Sequence, residues 1–180
     1  MMESKQILGS IAVSALTSAV LLFAYTVVTK APPPAAPVVS RLHGNDKSPI
    51  AAGVFAPAGT DTVYLSGQLA DPANPDAPKD SPEYYGDTEA QTISIMKKIE
   101  HALAEKHMTM GDVVMMHVYL AADPAKGGKM DFKGLMAGYL KFFGTETQPN
   151  KPARSTFQVA SLVAPGYLAE IEVLAVAAPK

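Results

Sequence analysis

The chain has 180 residues, enough for roughly one domain and a short extension. Hydrophobic residues make up 48% of it and charged residues 18%, a composition that excludes disordered and fibrous proteins. Its 15 basic and 17 acidic residues give a net charge of -2, which argues against a dedicated nucleic-acid binder. The absence of cysteine excludes disulfides, thiolate metal sites and cysteine nucleophiles.

The N-terminal segment, residues 1–30, contains 22 consecutive uncharged residues at positions 7–28. As a helix this run is long enough to span the roughly 30 Å hydrocarbon core of a bilayer. It fits either a retained membrane anchor or a cleaved secretion signal, and Pro32 after the last candidate cleavage site favours the anchor. We therefore expect a periplasmic or otherwise extracytoplasmic protein, bound to the membrane through this segment if it is retained.

Residues 31–47 are rich in proline and predict a semi-rigid, extended linker. The folded domain is then predicted over residues 48–180. This domain holds 11 basic and 15 acidic residues, a net charge of -4, which makes a nucleic acid a poorer partner still.

The domain begins with two short β-rich runs, residues 50–56 and 62–66, separated by turn residues, and we predict that they pair as an antiparallel hairpin. Residues 71–86 are a proline-rich loop. A helix follows, with a capping box predicted over residues 88–91 and Asp87 as a competing cap.

The second half of the domain alternates strand and helix. Strands are predicted at residues 113–120, 155–162 and 167–177, and a helix with a clean apolar stripe at residues 132–143. The order β-β-α-β-α-β-β predicts an α+β two-layer sandwich. Two helices cover only one face of such a sheet, so we expect the other face to be covered by oligomerisation.

The usual catalytic and cofactor motifs are absent. The four histidines, His43, His101, His107 and His117, show no metal-ligand spacing, so no metal site is predicted. For His117, inside a predicted strand, we expect a hydrogen bond within the sheet.

Three places are harder to explain by packing alone. Arg154 enters a strand just after a proline turn, where its planar fork can grip a carboxylate, with a surface ion pair as the alternative. Glu170 and Glu172 share one face of the last strand and are either solvated or functional. Gly67, at the end of the second predicted strand, marks either a bulge or the close approach of a backbone or ligand.

Together these segments resemble the RidA/YjgF (reactive intermediate deaminase) family. The resemblance is carried by SGQ at residues 66–68, PARST at 152–156 and EIE at 170–172, and it extends over residues 48–178. It implies a chorismate-mutase-like fold and a homotrimer whose sheets face inward. It also implies ligand clefts between subunits.

The resemblance further implies the chemistry of the site. An arginine at the position of Arg154 binds the substrate carboxylate, a glutamate matching Glu170 positions or activates water, and backbone near Gly67 and Thr156 lines the cleft. The implied reaction is hydrolytic deamination of 2-imino or 2-enamino acids to 2-keto acids and ammonia. This is the activity of a 2-iminobutanoate/2-iminopropanoate deaminase, and it requires no metal or organic cofactor.

Two positions depart from the family pattern. Ile50 replaces a tyrosine that often lines the cleft, and Met136 replaces a common asparagine. The alternative hypothesis is therefore a non-catalytic trimer of the same fold that binds small carboxylates or proteins. Endoribonuclease activity, reported for some relatives, fits poorly with the negative domain and with export.

Overall fold

The computed structural model describes residues 35–45 and 47–179. The predicted anchor, residues 1–30, and the start of the predicted linker lie outside the described residues. Within the part of the chain that is described, no helix is both long and apolar enough to cross a bilayer.

The described residues fold in the order β-β-β-α-α-β-α-β-β. The elements are β1 (Ser40–Leu42), β2 (Gly53–Phe55), β3 (Asp61–Leu69), α1 (Pro82–Tyr85), α2 (Thr88–Ala104), β4 (Val113–Leu120), α3 (Phe132–Tyr139), β5 (Ala153–Gln158) and β6 (Ala169–Ala177).

The main sheet has four strands in the order β3-β6-β4-β5. Strand β6 pairs antiparallel with both β3 and β4, whereas β4 and β5 run parallel. The final strand of the chain therefore lies in the centre of the sheet, with β5 at one edge and β3 at the other. The predicted α+β class is confirmed.

The core lies between one face of this sheet and the helices α2 and α3. On β4 and β6 every second side chain enters it, and the helices contribute an apolar stripe. Its fully buried members include Ile95, Met96, Ile99, Leu103, Met116, Val118, Leu120, Leu135, Tyr139 and Ile171. The alternating burial follows from the period of two along a strand. The opposite sheet face carries no helix of the described residues, and we call it the open face.

The predicted pairing of the first two β-rich runs is wrong. Strand β2 instead pairs antiparallel with β1, which lies inside the range predicted as a linker. Strand β3 pairs with β6, where Val63 lies opposite Ala175 and Leu65 opposite Val173. In this pairing Val63 and Leu65 pack against the hydrophobic core, and the apolar surface that they bury there favours the distant partner.

The β1 strand is tied to the domain through Arg41. Its Nη2 donates to the carbonyl oxygens of Gly111 and Val113 at 2.7 and 3.1 Å, and its Nε donates to that of Lys151 at 3.1 Å. Residues 40–42 are thus folded against the domain, although their proline-rich context predicts a spacer.

Helix α2 begins at Thr88 and is capped by Asp87, the competing cap of the sequence prediction. The Asp87 carboxylate accepts from the Ala90 N–H at 2.8 Å. Gln91 therefore does not cap the helix. Its buried amide instead connects the start of α2 to the segment that leads into β6. It donates to the Gly166 carbonyl at 2.9 Å and accepts from the Leu168 N–H at 2.8 Å.

Candidate functional site

Arg154 lies on the edge strand β5, opposite Met116 of β4. Because Met116 is buried in the core, Arg154 lies on the helix-covered face of the sheet. Its guanidinium carbon lies 4.3 Å from the Tyr139 ring centre and 5.8 Å from that of Phe132. Its Nη2 contacts the Met136 sulfur at 3.2 Å. The cation is thus surrounded by aromatic and thioether groups of α3.

Two of the three guanidinium nitrogens of Arg154, Nε and Nη1, are buried without a hydrogen-bond partner, as is Thr156 Oγ1 two residues along β5. Burial lowers the pKa of Arg154, and the nearby Tyr139 partly opposes this shift. A buried charged donor left unpaired costs more than an ordinary unmade hydrogen bond. These donors therefore suit an anion, and a carboxylate matches the fork geometry of arginine.

Glu170 lies on β6, opposite Leu69 of β3 and Tyr119 of β4. The β3–β6 register shifts between Leu65 and Gln68, and Gly67 sits in this irregularity. A Cβ at position 67 would collide with the Glu170 carboxylate. The Glu170 carboxylate packs directly on the backbone of Gly67, so any side chain at this position would displace the carboxylate. Within the described residues no hydrogen-bond or ion-pair partner reaches that carboxylate.

The candidate residues form two pairs in one chain. Arg154 and Thr156 lie together on the helix-covered face, and Gly67 and Glu170 lie together at the open face. The sheet itself separates the pairs, since alternate residues of a strand point to opposite faces. A single site that uses both pairs must be built from two copies of the chain.

A second polar group lies on the open face beside Glu170. Glu172 Oε1 accepts from His117 Nδ1 at 2.8 Å and from the Tyr119 hydroxyl at 3.0 Å. These two bonds lower the pKa of Glu172, while the bond to Glu172 is the main cause of the raised pKa of Tyr119. The predicted hydrogen bond of His117 within the sheet is confirmed, and the predicted placement of Glu170 and Glu172 on one face is confirmed with it.

The surroundings of Arg154 were the main feature that sequence reasoning missed. Tyr139 and Phe132 belong to the apolar stripe of α3, which the sequence predicts only as packing, and Met136 is singled out only as the replacement of an asparagine common in the family. Their spacing of three and four places them on one helix face, which is the available signal. Burial raises the pKa of Tyr139 to about 12, and its hydroxyl donates to the Pro49 carbonyl at 3.0 Å.

No group of three or more histidine or carboxylate side chains among residues 35–45 and 47–179 is arranged to hold a metal ion. What the described side chains can do chemically is bind an anion at Arg154 and accept or donate protons at Glu170, His117 and Glu172.

Comparison with known proteins identifies the family of this chain. Residues 46–177 match the family model described as Endoribonuclease L-PSP. A RutC family protein of Haemophilus influenzae is 29% identical over 141 residues, covering 77% of this chain and 98% of that protein. The 3-aminoacrylate deaminase RutC of Acinetobacter baylyi is 32% identical over 123 residues, covering 68% and 85% of the two chains.

Solved structures share the fold. The Rid family protein YyfB of Yersinia pestis superposes with a TM-score of 0.56 at 22% identity, covering 76% of this chain and 98% of that one. The protein PA3499 of Pseudomonas aeruginosa gives a TM-score of 0.50 at 21% identity over 77% and 92% of the two chains. The family model spans most of the chain, so the protein belongs to the Endoribonuclease L-PSP family, which is the RidA/YjgF family that its motifs resemble.

Proposed function

We propose that this protein hydrolyses 2-imino or 2-enamino carboxylates to 2-keto acids and ammonia. The observation that carries the proposal is the Arg154 guanidinium, whose Nε and Nη1 are buried beside Thr156 Oγ1 with no partner. The name of the relative 3-aminoacrylate deaminase supports a substrate that joins an enamine to a carboxylate.

The chemistry requires little beyond orientation and proton transfer. An imine carbon is already electrophilic, so fixing the neighbouring carboxylate on Arg154 fixes the carbon that water attacks. Glu170, which has no partner among the described residues, accepts a proton from the attacking water. That proton moves to the nitrogen, and the proton of the new hydroxyl group follows it as the carbonyl forms. The carbon–nitrogen bond breaks, ammonia leaves with the bonding electron pair, and the keto acid is released.

The site must combine two subunits, because Arg154 and Glu170 lie on opposite faces of one sheet. We therefore propose a homotrimer in which Arg154 of one subunit faces Glu170 of the next. The open face supports self-association, since it exposes large apolar side chains. Tyr64 is 78% exposed, Phe157 51% and Met115 38%.

The first experiment measures hydrolysis directly. An amino-acid oxidase generates 2-imino acids in place, and formation of the keto acid is followed with and without the protein. We expect wild type to accelerate the reaction, Arg154→Ala to abolish the acceleration and Glu170→Gln to reduce it strongly. Lys133→Ala, on the exposed side of α3, is the matched control. Equal rates with and without wild-type protein would refute the proposal.

The second experiment tests the shared site. Arg154→Ala and Glu170→Gln subunits are unfolded together, refolded as a mixture and assayed. In a random trimer about a quarter of the clefts receive an intact arginine and an intact glutamate, so part of the activity should return. A mixture as inactive as either variant alone, with trimers present by sedimentation, would contradict a site built from two subunits.

One observation favours the second candidate, a carboxylate-binding module without catalysis. The Met136 sulfur contacts Nη2 of Arg154, and the other two guanidinium nitrogens, Nε and Nη1, are buried in the protein. This module would bind a keto acid through Arg154 and leave imine hydrolysis at the uncatalysed rate. RNA is a poor substrate for either candidate, because residues 48–180 carry a net charge of -4.

A further inference from the structure

The group formed by His117, Tyr119 and Glu172 on the open face has no role in the reaction described so far. Both His117 and Tyr119 bond to the same oxygen, Glu172 Oε1, at 2.8 and 3.0 Å. The side chains of His117 and Glu172 are each 39% exposed, so water or a ligand can reach them in the single chain.

The hydrogen bonds define the protonation of the imidazole. An ionised carboxylate can only accept, so His117 Nδ1 carries the hydrogen that Glu172 receives. The lowered pKa of Glu172 keeps it ionised at neutral pH. His117 Nε2 has no hydrogen-bond partner among the described residues. A carboxylate bound at Nδ1 with Nε2 available is the arrangement in which an imidazole accepts and donates protons.

His117 lies close to Glu170. It is opposite Glu172 in the β4–β6 register, and Glu170 is two residues earlier on the same face of β6. Two residues along a strand span roughly 7 Å, which leaves room for a small substrate between the two side chains. The charge of Glu170 also contributes to the raised pKa of Tyr119, which places it beside this group.

The surroundings contain no competing cation among the residues that the structure describes. A cavity of about 190 Å³ adjoins His117 and Glu172, and its remaining walls are Tyr64, Met115, Val173 and Leu174. From the neighbouring strand β5, Ser155 lies opposite His117 in the register. The charged or titratable groups that face His117 from these strands are thus Glu172, Glu170, Tyr119 and Tyr64.

We propose that His117 is a second proton-transfer group of the deaminase site, contacting the substrate nitrogen through Nε2, with Glu172 and Tyr119 as its positioning residues. The inference rests on the proposed function and adds a residue to it.

The proton balance explains why a second group is useful. Hydrolysis moves both hydrogens of one water molecule to the imine nitrogen. As the water oxygen bonds to carbon, Glu170 takes one water proton and protonated His117 gives one to the nitrogen. Glu170 then returns its proton to the nitrogen, His117 takes the remaining hydroxyl proton, and the carbon–nitrogen bond breaks. Ammonia leaves with the bonding electron pair, and both residues regain their starting states.

The test compares His117→Gln and His117→Ala with wild type in the amino-acid oxidase assay. Since a positioned acid–base group contributes roughly 100- to 10,000-fold, we expect kcat to fall about 100-fold or more while KM stays within about twofold. Added imidazole should restore part of kcat in His117→Ala but not in His117→Gln, whose side chain fills the space. Glu172→Gln should lower kcat less than either.

Met115→Leu is the matched control, because it lies on the same strand and lines the same cavity without a titratable group. Circular dichroism and the Kd for pyruvate confirm that each variant is folded and keeps its Arg154 site. A folded His117→Ala with wild-type kcat, or with a lowered kcat that imidazole does not raise, would overturn this inference. It would leave the proposed function intact if Arg154→Ala were still inactive. No acceleration by wild type would refute the proposed function itself and the role of His117 with it.

Discussion

The two faces of the four-stranded sheet differ sharply in their chemistry. On the helix-covered face Arg154 is enclosed by Tyr139, Met136 and Phe132, and its donors lack partners. On the open face the carboxylate of Glu172 is half exposed and engaged by both His117 and Tyr119.

The difference places an unpaired guanidinium on one face of the sheet and a hydrogen-bonded group of titratable side chains on the other, and our proposal assigns anion recognition to the first and proton transfer to the second. Neighbouring residues of a strand point to opposite faces of the sheet. A few strand positions can therefore place a cation on the helix-covered face and polar side chains on the open face. A carboxylate bound to the buried guanidinium on the helix-covered face would meet little competing water, which would strengthen their attraction. On the open face the side chains of His117 and Glu172 are each 39% exposed in the single chain.

The largest effect is expected from removing the positive charge of Arg154 on the helix-covered face. Arg154→Met should abolish imine hydrolysis, with at least a hundredfold fall in kcat/KM. Its free energy of unfolding should rise by about 1 kcal/mol or more, because an unpaired buried cation is replaced by an apolar chain. Chemical denaturation and the oxidase assay measure the two effects. A variant less stable than wild type would show that the guanidinium stabilises the ligand-free fold.

The next largest effect is expected from a substitution of Gly67, whose backbone contacts the Glu170 carboxylate on the open face. In Gly67→Ala the new Cβ meets the end of the Glu170 side chain, which is flexible and can move. We therefore expect kcat to fall about tenfold while the free energy of unfolding drops by less than about 1 kcal/mol. Gly53→Ala is the control, since its Cβ meets only the Leu42 side chain at 3.3 Å. Unchanged kcat would mean that Glu170 keeps its function when displaced.

A smaller effect is expected from removing the charge of Glu172 on the open face, and it should depend on pH. The folded-state pKa of Glu172 is lowered, so its bonds stabilise the fold above the unfolded-state pKa, and this contribution is lost as the pH falls through the folded-state pKa. Glu172→Gln should thus be less stable than wild type at neutral pH, by less than about 1 kcal/mol because the pair is partly exposed. In strong acid the two proteins should converge.

Urea denaturation at neutral and acid pH measures this difference. Glu146→Gln serves as the comparison, since the described residues give its carboxylate no partner. A difference between wild type and Glu172→Gln that persists unchanged in acid would assign the stability to packing rather than to the ionised carboxylate.

The smallest effect belongs to Tyr139→Phe. The change removes the 3.0 Å bond to the Pro49 carbonyl and keeps the ring beneath Arg154. We expect a loss of about 1 kcal/mol in stability and a change in kcat/KM within about twofold. Because burial holds the pKa of Tyr139 at about 12, wild type and variant should show the same phenolate absorbance at about pH 10. A tenfold loss of kcat/KM would instead give the hydroxyl a part in binding.

Several elements of the fold follow from local sequence. The strand at residues 113–120 and the helix capped by Asp87 were predicted closely, because β-branched runs and helix caps act over a few residues. Period-two alternation alone is enough to put Glu170 and Glu172 on one face, and the strand register agrees with it. The motifs of residues 66–68 and 152–156 identified the family.

Long-range pairing was beyond the reach of local signals. The partner of β2 proved to be a strand inside the proline-rich segment, and the final strand β6 entered the centre of the sheet. The aromatic enclosure of Arg154 depends on how α3 packs across β5, which no spacing in either segment specifies alone. The shared bond of His117 and Tyr119 to Glu172 likewise needs the β4–β6 register.

The chain by itself determined which residue types are available and which face of each strand or helix they occupy, because these depend on backbone periodicity. The packing of distant segments was needed to show that Arg154 and Glu170 lie on opposite sides of one sheet and that Glu172 bonds to His117. The physical reason is that strand order and register are chosen by the total apolar surface buried, a property of the whole domain.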